Sequence, residues 1–80
     1  MLTLKLISKD SEKVTYEYSP EDREKPGRIT VDAKTQDVIY AKKSAYEEGS
    51  FDLYFIHAIS RVRKNTKNNE FPETELVAWD

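Results

Sequence analysis

Cysteine is absent from this chain of 80 residues. No disulfide can staple the fold, and thiolate metal sites are excluded. Glycine occurs twice and proline three times, which rules out collagen-like and low-complexity architectures. There is one histidine, His57, so a multi-histidine zinc site cannot form. Long apolar runs are lacking too. The longest, Leu53 to Ile59, is interrupted by His57, whereas a membrane span needs about 20 apolar residues. The segment from Met1 to Ile7 has a lysine in mid-run and no small-residue cleavage site, so it does not read as a signal peptide. The expectation is a cytoplasmic protein with no membrane partner.

An excess of one charge is also missing. Thirteen basic and 15 acidic residues leave a net charge of −2. A general phosphate-backbone binder usually carries a basic excess, so nucleic acid is a disfavoured partner. With 38% hydrophobic residues, the chain is too apolar to be disordered. Its length suits one domain, residues 1–80, because domains rarely fall below about 50 residues.

What is present is patterned. Leu2, Leu4 and Leu6 alternate with Thr3, Lys5 and Ile7. Such a period of two puts alternate residues on one face of a sheet, so residues 2–8 read as a strand. Val14, Tyr16 and Tyr18 alternate with Thr15 and Glu17 in a second strand that Pro20 ends, because proline donates nothing to a ladder. The polar turn Lys9-Asp10-Ser11-Glu12 closes this hairpin. Ile29 and Val31 mark a third strand, and Val38 and Tyr40 a fourth. The link from Asp32 to Asp37 lacks glycine and asparagine. Gln36 is the residue expected to take any left-handed position there, at some conformational cost. Residues 19–27 join the hairpins as a charged loop.

From Ser50 the period becomes helical. Ser50 is a good N-cap, and Asp52 is expected in the first turn, where the helix dipole favours an acid. Phe51, Tyr54, Phe55, Ala58, Ile59 and Val62 fall within one arc at 3.6 residues per turn. Thr66 would continue that arc but is polar, so the packed helix is expected to end near Asn65. Ser44-Ala45-Tyr46-Glu47 has capping-box spacing and could form a short extra turn stopped by Gly49. Asn68 and Asn69 read as a loop. Glu75 to Trp79 alternates again as a fifth strand.

The order β-β-β-β-α-β indicates an α+β fold: an antiparallel sheet of five strands with one helix packed on one face. Pairing of the last strand with the first is the expected topology.

Chemistry is sparse. His57 could serve as a general base, but no nucleophile, acid partner or metal cluster accompanies it, so no reaction can be named. A structural or surface role is preferred, and the chain is not expected to be an enzyme or to need a cofactor. Glu21, Asp22 and Glu24 lack the spacing and turn glycine of a calcium loop. Tyr16 and Tyr18 share a strand face, as in sheets that stack bases, yet core packing explains them more simply. His57, Arg61 and Lys64 are spaced by four and three and line one stripe, a candidate anion site. The plain alternative is a solvated face whose cations complement the helix C-terminus. Leu53 and Ile56 lie opposite Phe55 and Val62 on the helix. A helix lying on one sheet would expose both, and clustered exposed aliphatics often mark a partner surface. The reading is a protein–protein interaction or self-associating module, a homodimer in its simplest form. A small anion- or single-stranded nucleic-acid-binding protein is the alternative. No motif ties the chain to a named family; it looks like a small single-domain bacterial protein, a likeness that rests on no motif.

Overall fold

Alternation in five segments and helical periodicity in one are realised in the order expected. The computed structural model describes residues 1–21, 25–45 and 52–79. Its elements are β1 (Leu2–Lys9), β2 (Lys13–Pro20), β3 (Gly27–Asp32), β4 (Val38–Lys42), α1 (Leu53–Lys67) and β5 (Thr74–Val77). The strands form one antiparallel sheet in the order β4-β3-β2-β1-β5. The fold is α+β, and the last strand pairs with the first.

Register follows the apolar pattern. Leu4 faces Tyr18, Tyr16 faces Ile29, Val14 faces Val31 and Leu2 faces Val77. A slip of one residue would send each of these to the opposite face. All are buried, and they form the core with Ala58 and Val62 of α1. Each large aliphatic withdrawn from water contributes roughly 1.5–3 kcal/mol of transfer free energy. The other face carries Thr3, Lys5, Thr15, Glu17, Arg28, Thr30, Tyr40 and Lys42 by the same registers. There the Thr15 and Thr30 hydroxyls hydrogen-bond at 2.8 Å.

Both hairpin turns at one end of the sheet use an aspartate in the same way. Asp10 Oδ1 accepts from the backbone N–H of Glu12 and Lys13 at 2.7 and 2.8 Å. Asp32 Oδ1 accepts from those of Lys34 and Thr35 at 2.7 and 2.9 Å. These bonds favour the ionised carboxylates and hold both below the ordinary aspartate range. Gln36 takes the left-handed conformation, with φ 64°, as its turn required. At the opposite end Gly27 is enforced by contact. A Cβ there would strike the Tyr18 ring and lie 2.6 Å from the Lys42 carbonyl oxygen. The connection between the hairpins is shorter than residues 19–27, because Ser19 and Pro20 extend β2 and Gly27 opens β3.

The helix differs from expectation at both ends. Asp52 is the N-cap residue rather than a first-turn acid, and its side chain makes no cap bond. Its carboxylate instead meets Lys43 Nζ at 2.9 Å. Ser50 and Phe51 lie outside the described residues, as does the Tyr46–Gly49 part of the expected extra turn. Ser44 is buried, and its N–H donates to the Tyr18 hydroxyl at 2.9 Å. At the other end α1 continues past Asn65 to Lys67, with Asn65 and Thr66 buried. Two causes override the polarity of those residues. Asn65 Nδ2 donates to Glu75 Oε1 at 2.7 Å. In addition, Asn69 adopts φ 57°, so that its N–H reaches the Thr66 carbonyl and the Glu70 N–H the Asn65 carbonyl, at 3.0 and 2.8 Å. That pair of bonds is a Schellman C-cap. The loop read at Asn68 and Asn69 is therefore the helix stop itself. β5 ends at Val77 rather than running to Trp79, because the indole is engaged with the helix.

Candidate interaction face and basic corner

Four contacts orient α1 on the sheet. Along one edge, His57 stacks on Trp79 with centroids 4.0 Å apart and planes 8° from parallel. Tyr54 meets the same indole edge-on at 5.5 Å. One turn further on, Arg61 Nη1 donates to Glu75 Oε2 at 2.9 Å. Along the other edge, Arg63 Nε donates to the Gln36 carbonyl at 2.9 Å. The Tyr54–His57–Arg61 edge thus lies against β5 and its continuation, and the Arg63 edge faces the β3–β4 turn.

The stripe of His57, Arg61 and Lys64 is divided by these contacts. His57 is half-buried on an aromatic ring, Arg61 has a carboxylate, and only Lys64 stands exposed. Glu75 carries much of this arrangement. It lies opposite Leu4 on the core face of the sheet and receives both Arg61 and Asn65. Its charge, after burial, is the second cause that pushes the Tyr16 hydroxyl up to about 12. That hydroxyl donates to the Pro72 carbonyl at 2.7 Å. Tyr16 and Tyr18 are core residues, 1% and 0% exposed, and have no ring face to offer a base.

Leu53 and Ile56 are exposed at 47% and 62%. They occupy the outward side of the first two turns of α1, while Arg63, Lys64 and Lys67 occupy the exposed side of the last two. The helix packs on β1, β2, β3 and β5, and every residue of edge strand β4 is exposed. Val38, Ile39 and Tyr40 are 42%, 51% and 52% exposed. These three were read only as a strand. The signal that would have found them is topological, since the fourth strand of a meander is an edge once the fifth pairs with the first. A register shift between Thr30 and Val31 leaves Ile39 without a partner on β3, a bulge of the kind that blunts sheet edges.

Two further features complete the inventory. Glu21 takes the ammonium of Met1 at 3.0 Å, while Asp22 and Glu24 lie outside the described residues. Among the described residues no three histidine, aspartate or glutamate side chains are placed to hold a metal, and no helix is long and apolar enough to cross a membrane.

No family model matches the chain. The curated proteins and the solved structures yield no match either.

Proposed function

We propose that this protein is a non-catalytic interaction module that associates with another protein chain, in the first instance its own copy. The contact would run through Leu53 and Ile56 on α1, with the exposed Val38 and Ile39 of edge strand β4 as a further apolar surface. The observation that carries this reading is the exposure of two aliphatic residues on the outward side of a helix that already buries its opposite side. Exposed aliphatics scattered singly are ordinary, but two at i, i+3 spacing on one outward helix face match the apolar centre of a protein–protein contact. Beyond its bulge, the β4 edge also has unpaired backbone groups that a second chain can use. A homodimer with twofold symmetry is the commonest outcome of such self-association. A cytoplasmic setting belongs to the same proposal.

Sedimentation velocity across a range of protein concentrations tests it. The expected result is a concentration-dependent dimer that Leu53→Glu and Ile56→Glu each shift to monomer, with the circular dichroism of the monomer unchanged. A strict monomer at every concentration, indistinguishable from the Leu53→Glu variant, would remove the self-association form.

A further inference from the structure

The β3–β4 corner of the sheet gathers cations that the described chain only partly neutralises. Arg28 and Lys42 lie directly opposite each other on adjacent strands, and like charges so placed repel. Glu17 faces Arg28 from the other side and approaches its guanidinium to 3.6 Å. Lys43 meets Asp52, with both side chains more than 40% exposed. Neither Lys25 nor Lys42 has a carboxylate in salt-bridge range among the described residues.

These cations surround space. A cavity of about 410 Å³ is lined by Lys25, Pro26, Lys42, Lys43 and Ala45. A second, of about 230 Å³, shares Pro26 and Lys42 with it and adds Gly27, Arg28, Tyr40 and Glu17, whose carboxylate is turned to Arg28. Small-molecule sites occupy roughly 300–1,000 Å³, so the pair is large enough for a modest ligand. The frame is held by backbone, since the Ala45 N–H donates to the Lys25 carbonyl at 3.2 Å. Lys25 itself is fixed in the left-handed region at φ 60°, a conformation that costs a lysine energy and that functional loops often retain. Tyr40 leaves the sheet next to Lys42 and Arg28 with half its surface open.

We propose that this corner binds a nucleoside phosphate. The phosphate would sit among Lys25, Lys42 and Lys43, where ammonium groups supply charge-assisted hydrogen bonds. The base would lie against the Tyr40 ring, as bases do on exposed aromatics beside cations. An anion there also relieves the repulsion between Arg28 and Lys42. The site is separate from the Arg61 stripe and does not rest on association through Leu53 and Ile56.

Calorimetric titration of the full chain with adenosine diphosphate, pyrophosphate and adenosine tests the proposal. Saturable binding of adenosine diphosphate that weakens with added salt is expected. Lys42→Glu should weaken it by roughly tenfold or more, the loss expected for reversing a charge that contacts phosphate. Tyr40→Ala should weaken adenosine diphosphate and leave pyrophosphate unchanged. Both side chains are exposed, so neither variant should lower the melting temperature, and any change in Lys42→Glu, which removes the repulsion with Arg28, should be a rise. Absence of saturable binding at millimolar ligand, equal affinity in Lys42→Glu, or adenosine binding as tightly as its diphosphate would each overturn it. So would equal loss of pyrophosphate binding in Tyr40→Ala, because the aromatic ring would then have no role toward a base.

Discussion

The imidazole of His57 lies flat on the indole of Trp79, 4.0 Å between centroids. The one histidine and the one tryptophan of the chain thereby fasten the segment after β5 to the N-terminal half of α1. Tyr54 meets the same indole at 69° between planes. Aromatic pairs add about 0.5–1.5 kcal/mol each beyond area burial. Trp79→Ala should therefore lower stability by roughly 2–4 kcal/mol, since partial burial softens the usual cost of truncating an aromatic. Urea denaturation followed by circular dichroism measures this. A loss below half a kcal/mol would show the stack to be incidental.

Glu75 stands where β5 and α1 meet, and two donors converge on it from the helix. The Arg61 pair is partly exposed and contributes on the order of 1 kcal/mol or less. Asn65 is different, because it is 6% exposed and would keep a buried amide with no acceptor. A stranded buried donor costs about 1–3 kcal/mol. Glu75→Ala should cost roughly 2–3 kcal/mol in total, while Arg61→Ala alone should cost less than about 1 kcal/mol. Comparable losses in the two variants would contradict the division of roles argued for the carboxylate.

Alkaline titration isolates Tyr16. Burial first, and the nearby Glu75 charge second, hold its hydroxyl protonated up to about 12. The unfolded chain would release that proton near 10. Because the folded-state value is the higher, the associated stability is fully present below pH 10 and is lost as pH rises from 10 through 12. A rise of that size is worth on the order of 3 kcal/mol at most. The tyrosinate absorbance of wild type minus that of Tyr16→Phe should rise near pH 12. Tyr16→Phe should also flatten the alkaline fall in stability.

Strand positions, the β1–β5 pairing and the left-handed Gln36 were legible because each rests on local chemistry or on chain direction. Period two marks strands, proline closes β2, and a turn without glycine must still place some residue at positive φ. The helix terminus was not legible, since it depends on where Asn65 and Thr66 land relative to Glu75, a partner ten residues from Asn65 in sequence. The partners of the candidate anion stripe were hidden for the same reason. Spacing puts His57, Arg61 and Lys64 in line, but only the return of β5 decides that Trp79 and Glu75 occupy the first two. Leu53 and Ile56 were readable as outward-facing because helical angle alone sets them opposite Val62. The basic corner was invisible, because its cations come from two stretches of chain, 25–28 and 42–43, that only the strand pairing brings together.

The Gln36 turn offers a stabilising substitution. A non-glycine residue at φ 64° is strained, and glycine adopts that region freely. Gln36→Gly should raise stability by about 0.5–1 kcal/mol, less what the more flexible unfolded chain takes back and less the exposed bond from Gln36 Nε2 to the Lys34 carbonyl. A rise in melting temperature with an unchanged denaturant slope would verify it. A fall would mean that the side-chain bond outweighs backbone strain.

Thr66 gives the sharper case, because its hydroxyl oxygen is buried with no hydrogen-bond partner among the described residues. The residue is 4% exposed in the last turn of α1, on the arc that Val62 shares. Burying a hydroxyl with no partner costs about 1–3 kcal/mol. Valine has nearly the same shape and leaves nothing unsatisfied, and its helix propensity is close to that of threonine. Thr66→Val should therefore stabilise the fold by about 1 kcal/mol or more. Thr66→Ser, which keeps the stranded hydroxyl and loses a methyl, should destabilise it by a similar amount. Paired urea melts of the two variants separate the hydroxyl from the methyl. If Thr66→Val proved neutral or harmful, the hydroxyl would have to find a partner in solution, and the helix end would be held by a second polar contact besides the bond from Asn65 to Glu75.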